Sequence, residues 1–146
     1  VQYLFSIILR YTGSHRVEED ITTGNAITDG SDFSYWFVGR IEEWCKEKGI
    51  PFNAGKFGLR NSAGIEIKWG IYKEGEVRNE WAGFTDRTAM SILIRGELVF
   101  DFLDSEDKKS GKKVRLKAEG DYVIWREDVL HTWRMDKDSV ILTLRW

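Results

Sequence analysis

From Gly64 onward the chain alternates: Ile65, Ile67, Trp69 and Ile71 take every second position, with Glu66, Lys68, Gly70 and Tyr72 between them. A period of two is the period of a β-strand, whose successive side chains point to opposite faces. Thr88 to Phe102 extends the pattern as one long strand, with Met90, Ile92, Ile94, Leu98, Phe100 and Phe102 on one side. Its other side, Ala89, Ser91, Leu93, Arg95, Glu97 and Val99, is also largely apolar over the first half. That predicts a strand covered on both faces. Val114–Ala118, Tyr122–Trp125, His131–Met135 and Val140–Trp146 read as further strands, and the mixed-charge run Asp104 to Lys113 as a solvated hairpin loop. Eight Phe, seven Trp and five Tyr favour strands, while 14 Gly and one Pro point to glycine-built turns. Short strands that end the chain without a closing helix predict an all-β sandwich or small barrel over residues 64–146.

Residues 1–63 form an N-terminal extension. Tyr3-Leu4-Phe5 and Ile7-Ile8-Leu9 predict a strand within Val1 to Tyr11, and the run is under half of the ~20 residues a membrane helix needs. Arg10 follows it where an export signal has its small-residue cleavage site. Residues 12–32, which include His15, are polar and turn-rich. Phe33, Trp36, Phe37, Ile41, Trp44 and Cys45 then share one helical face, with Ser31 or Asp32 as cap and Gly49 and Pro51 as the stop. Arg40 to Lys48 is the core of that helix; Trp36 to Gly39 also suits an extended segment. Lys and Arg total 22 against 24 Asp and Glu, a net charge of −2. No field of that size draws a protein to nucleic acid or an anionic membrane. The single cysteine, Cys45, excludes an internal disulfide and multi-cysteine metal sites, and it reads as an inert buried thiol in a cytoplasmic protein.

The stretch from Gly120 to His131 (Gly-Asp-Tyr-Val-Ile-Trp-Arg-Glu-Asp-Val-Leu-His) resembles the second motif of the cupin superfamily, glycine, five residues, proline, one residue, glycine, two residues, histidine. Arg126 stands at the proline and Asp128 at the second glycine. The first motif is degenerate: from Gly75, Trp81-Ala82-Gly83 falls at the His-x-His place and Ala89 at the glutamate. Glu66-Ile-Lys-Trp-Gly70, Gly75-Glu-Val-Arg78 and the terminal Arg145-Trp146 are similar to a bacterial group of small cupins sometimes labelled signal peptidase. A peptidase of that kind needs a membrane anchor and a Ser-Lys dyad; this chain has Ala89-Met90-Ser91 and no apolar run long enough to span a membrane. The resemblance implies a cupin-type double-stranded β-helix, a jelly-roll barrel, over residues 64–146. It also implies a divalent metal as cofactor, but His131 is the only ligand position retained, and one imidazole does not hold a metal. Glu76 and Glu80 are the nearest substitutes.

Three readings of the site follow. In one, the barrel binds a small, partly apolar molecule in a lumen lined by Trp69, Tyr72, Glu80, Trp81, Ser91 and Trp133, or serves as a regulatory or structural module; the lumen is open to a ligand or filled by its aromatic residues. In the second, His131 is the catalytic general acid/base of a metal-free enzyme, with Glu80, Arg87, Tyr72 or Arg145 as orienting groups or anion holders. In the third, a metallocupin uses His131 with non-standard carboxylates. Arg78, Arg87 and Arg95 suit an anion and equally suit an exposed strand. Met90, Ile92 and Ile94 need a cover, either the N-terminal segment or a second subunit; the Val1 to Tyr11 strand suits a sheet edge in cis or across a dimer, and a homodimer is expected.

Overall fold

The computed structural model describes residues 21–83, 86–104 and 111–146. The strand expected within Val1 to Tyr11, and most of the charged loop, lie outside them. Two antiparallel sheets carry the described chain. One runs β1 (Trp36–Val38), β2 (Glu66–Tyr72), β9 (Ser139–Arg145), β4 (Ala89–Arg95), β7 (Tyr122–Trp125). The other runs β3 (Val77–Ala82), β8 (Val129–Met135), β5 (Leu98–Asp104), β6 (Gly111–Leu116). Between the sheets lies the main core, in which Leu93, Leu98, Phe100, Phe102, Leu116, Trp125, Met135 and Ile141 are packed together. The expected barrel is therefore a two-sheet jelly roll, closed by aromatic and aliphatic residues from both walls.

The long strand expected from Thr88 to Phe102 is two strands in different sheets. Gly96 sits between them at φ +110, a left-handed backbone that suits glycine. A Cβ at Gly96 would lie 2.2 Å from Ser139 Oγ and 2.5 Å from the Asp138 carbonyl oxygen. The chain thus turns from the five-stranded to the four-stranded sheet where no side chain fits. β3 has no apolar alternation, most of it is exposed, and it is held only through its pairing with β8.

In the extension, the helix is Ile41–Lys48 (α2), and Trp36–Val38 is a strand paired with β2. Ser31 and Asp32 lie in a separate single turn rather than capping the helix. Gly49 ends α2 at φ +68; its amide donates to Lys46 O, and that of Ile50 to Cys45 O. Two one-turn helices, α1 (Ala26–Asp29) and α3 (Ala54–Phe57), flank this segment. Phe33, Ile41, Cys45 and Phe57 form a second small core, so Cys45 is buried there as expected. Buried Arg60 ties the pieces together, donating to Phe37 O and Asp29 O at 2.8 Å each. No helix among the described residues is long and apolar enough to cross a membrane.

Candidate functional site

The space between the two sheets is a cavity of about 550 Å³, within the range of small-molecule sites. Strand parity decides what faces it. On β2, Lys68 and Tyr72 line the cavity, which turns Ile67, Trp69 and Ile71 to the outer face. On β4, Ala89 and Ser91 line it; on β9, Ile141, Thr143 and Arg145; on β8, His131, Trp133 and Met135. β1 adds Trp36, so part of the N-terminal extension is a wall of the lumen. β3 contributes Arg78, then Trp81 and Ala82 in succession, with Gly83 just beyond its end, because its register against β8 shifts between Arg78 and Ala82.

Of the residues expected in a binding site, Tyr72, Trp81, Ser91, Trp133 and His131 come together here. Trp69 does not, because it lies an odd number of residues from Tyr72 on one strand and only one of the two can face inward. Glu80 is exposed and lies outside the lining, displaced by the irregular stretch of β3. Glu76 is also exposed and accepts a hydrogen bond from its own turn at Lys73 N. Trp36, Lys68 and Thr143 join the lining without having been expected there, beside Trp125 from the barrel strands. For Lys68 and Thr143 the signal was parity with Tyr72 and with Arg145.

Cations define the electrostatics. Lys68, Arg78 and Arg145 line the cavity, and no Asp or Glu does so among the described residues. Buried Glu66 takes two arginines at once, Arg87 Nη1 at 2.6 Å and Arg145 Nη2 at 2.5 Å. The Arg145 guanidinium also lies 3.6 Å from the Trp36 ring centre, and Lys68 Nζ lies 5.0 Å from it. Burial lowers Lys68 to about 8, with repulsion from Arg145 and Arg78 adding to the shift. Ser91 and Thr143 hydroxyls hydrogen-bond at 2.9 Å on the same wall.

His131 stands among the rings of Trp125, Phe100 and Phe102, at 4.9, 6.1 and 6.4 Å between centres. Its ring is hydrogen-bonded to the Ala82 backbone, while Nδ1 is buried with no partner among the described residues. Burial first, then the charges of Arg78 and Lys68, push it down to about 4. At neutral pH this imidazole is uncharged and has no second proton to give.

The four positions that the resemblance assigns to a metal all reach the lumen: Trp81, Gly83, Ala89 and His131. The frame is kept and the donors are replaced by an indole, a bare backbone and a methyl group. A Cβ at Gly83 would lie 2.8 Å from Val129 O, so position 83 has no room for an imidazole without a shift of β8. Among the described residues no group of three His, Cys, Asp or Glu is placed so that it could hold a metal ion. With three cations in the lining, these residues do not fit a divalent metal. At the β7–β8 turn Asp128 adopts φ +66, so the backbone expected of the motif's glycine persists with an aspartate in its place.

No protein-family model matches the sequence, and no curated protein does. Among solved structures, KdgF from Halomonas sp. is similar with a TM-score of 0.48 and 15% identity, covering 57% of this chain and 70% of that one. A cupin superfamily protein from Desulfitobacterium hafniense DCB-2 gives 0.48 and 17%, covering 57% and 68%. The cupin domain of Drosophila melanogaster CENP-C gives 0.48 and 16%, covering 60% and 63%. Likeness at this level concerns the fold alone. The two antiparallel sheets form a two-sheet jelly roll with a turn from Gly120 to His131 joining β7 to β8, and its lumen bears cations and aromatic rings.

Proposed function

We propose that the chain is a small-molecule binding protein whose ligand occupies the lumen. One observation carries this reading: a cavity of about 550 Å³ remains between the sheets although four tryptophans, Trp36, Trp81, Trp125 and Trp133, border it. A barrel plugged by its own side chains leaves no such volume. Aromatic walls with a few polar groups suit a ring or another partly apolar body. An acid-catalytic role for His131 draws no support from an imidazole lowered to about 4.

The seven tryptophans supply the test. In a titration with small ring-bearing compounds followed by NMR, the indole N–H signals of Trp36, Trp81, Trp125 and Trp133 should move, while those of Trp44, Trp69 and Trp146 stay in place. Signals that respond uniformly, or not at all at millimolar concentrations, would remove the lumen as a binding compartment.

A further inference from the structure

The charge of the lumen opposes that of the chain. The protein as a whole is at −2, yet the described lining holds Lys68, Arg78 and Arg145 and no carboxylate. The one buried acid beside it is already engaged on both oxygens, Oε1 by Arg87 and Oε2 by Arg145. That leaves Lys68 and Arg78 without a carboxylate partner among the described residues. They come from opposite walls, Lys68 from β2 in the five-stranded sheet and Arg78 from β3 in the four-stranded one.

Two cations facing one cavity from both sides repel each other, and the partial burial of Lys68 removes water that would screen its charge, while Arg78 reaches the cavity from an exposed strand. Such an arrangement is costly in the empty protein. It becomes favourable once an anion enters, because the same low-dielectric walls then strengthen the attraction. Burial first, then the charges of Arg145 and Arg78, lower the proton affinity of Lys68, so its charged form is disfavoured until an anion stands beside it. The Ser91–Thr143 hydroxyl pair has one hydrogen still to donate, a further contact for an oxyanion.

We infer that the ligand is a small organic carboxylate, its oxyanion held between Lys68 and Arg78 and its ring lying against Trp81 and Trp133. This rests on the lumen being a binding compartment. A bare inorganic anion would satisfy the charge but leave most of the 550 Å³ and its aromatic lining unused. Trp133 is paired with Arg78 across β3 and β8, so the ring-binding surface and the cation are adjacent.

Phenylacetate, its neutral isostere phenylacetamide and inorganic phosphate are the probes, titrated at pH 7 into the full chain and followed on the four lumen indole signals. Phenylacetate should bind at least tenfold more tightly than phenylacetamide. The preference should weaken in Lys68→Met and in Arg78→Gln, vanish in the double variant and survive in Lys68→Arg. Free Lys68→Met should also melt at a higher temperature than the parent at pH 7, which shows that the variant folds and that the charge is costly without ligand. Equal binding of the carboxylate and the amide overturns the charge assignment and leaves the lumen reading intact. Phosphate as effective as phenylacetate on the same signals overturns the organic carboxylate in favour of an inorganic anion site. Failure of all three to move the four indoles removes both the carboxylate and the lumen.

Discussion

His131 shows how one residue can keep its place and change its chemistry. It lies at the motif position the sequence predicts and faces the lumen, but Trp125, Phe100 and Phe102 surround it and cations face it across the cavity. Its lowered proton affinity has a thermodynamic consequence. Between about pH 6.5 and 4 the unfolded chain takes up a proton that the folded chain refuses, so stability falls as pH drops through that window. The loss amounts to roughly 3 kcal/mol. Urea denaturation of the parent and of His131→Gln at pH 7, 5.5 and 4.5 measures it: the variant should lack this part of the slope. An unchanged slope would mean that the imidazole is not held neutral. Lys68 has its window higher, from about 8 to 10.5, where stability should rise with pH because the unfolded chain again holds the extra proton.

At the scale of elements, a single glycine decides the topology. Continuous alternation from Thr88 to Phe102 reads as one strand, because nothing in the side-chain pattern marks Gly96 as a corner. The structure needs it for space and for φ, with Ser139 Oγ and Asp138 O filling the region a Cβ would enter. Gly96→Ala should therefore cost about 3 kcal/mol, by combined backbone strain and overlap. Gly111→Ala, whose Cβ would meet only Phe102 O at 3.4 Å, should change the denaturation midpoint little. Similar costs for both would mean that Gly96 is not the hinge between the sheets. β3 lies at the other extreme: its exposed, charged sequence carries no strand period, and it exists through its pairing with β8.

For the molecule as a whole, the five-stranded sheet turns an apolar face outward. Ile67, Trp69 and Ile71 on β2, Leu142 and Leu144 on β9, and Met90, Ile92 and Ile94 on β4 share it, with exposed Tyr122 and Ile124 on β7. Such a face calls for a cover, either the N-terminal segment or a second subunit, and we propose the second, because a face formed by a single sheet can pair with itself about a two-fold axis. A homodimer is the expected state. Sedimentation equilibrium at micromolar concentration checks it: the parent should run at twice the chain mass and an Ile92→Lys, Leu142→Lys variant at the chain mass. A monomeric parent would end this expectation without touching the lumen.

The sequence by itself determined the strand-rich class, the glycine-to-histidine turn that sets His131, the helix around Arg40 to Lys48 and the burial of Cys45. These rest on local periods, local turn residues and a motif of fixed spacing. Tertiary structure alone decided which parity of each strand faces the lumen. An apolar-inward rule places Trp69 inside, but on β2 it is the other parity, Lys68 and Tyr72, that lines the lumen, and Ile67, Trp69 and Ile71 lie on the outer face of the sheet. It also decided the corner at Gly96, the recruitment of Trp36 from the extension, and the gathering of Lys68, Arg78 and Arg145 from three strands into one cavity. Each of these depends on contacts between residues far apart in the chain, and alternation along a single strand carries no record of them.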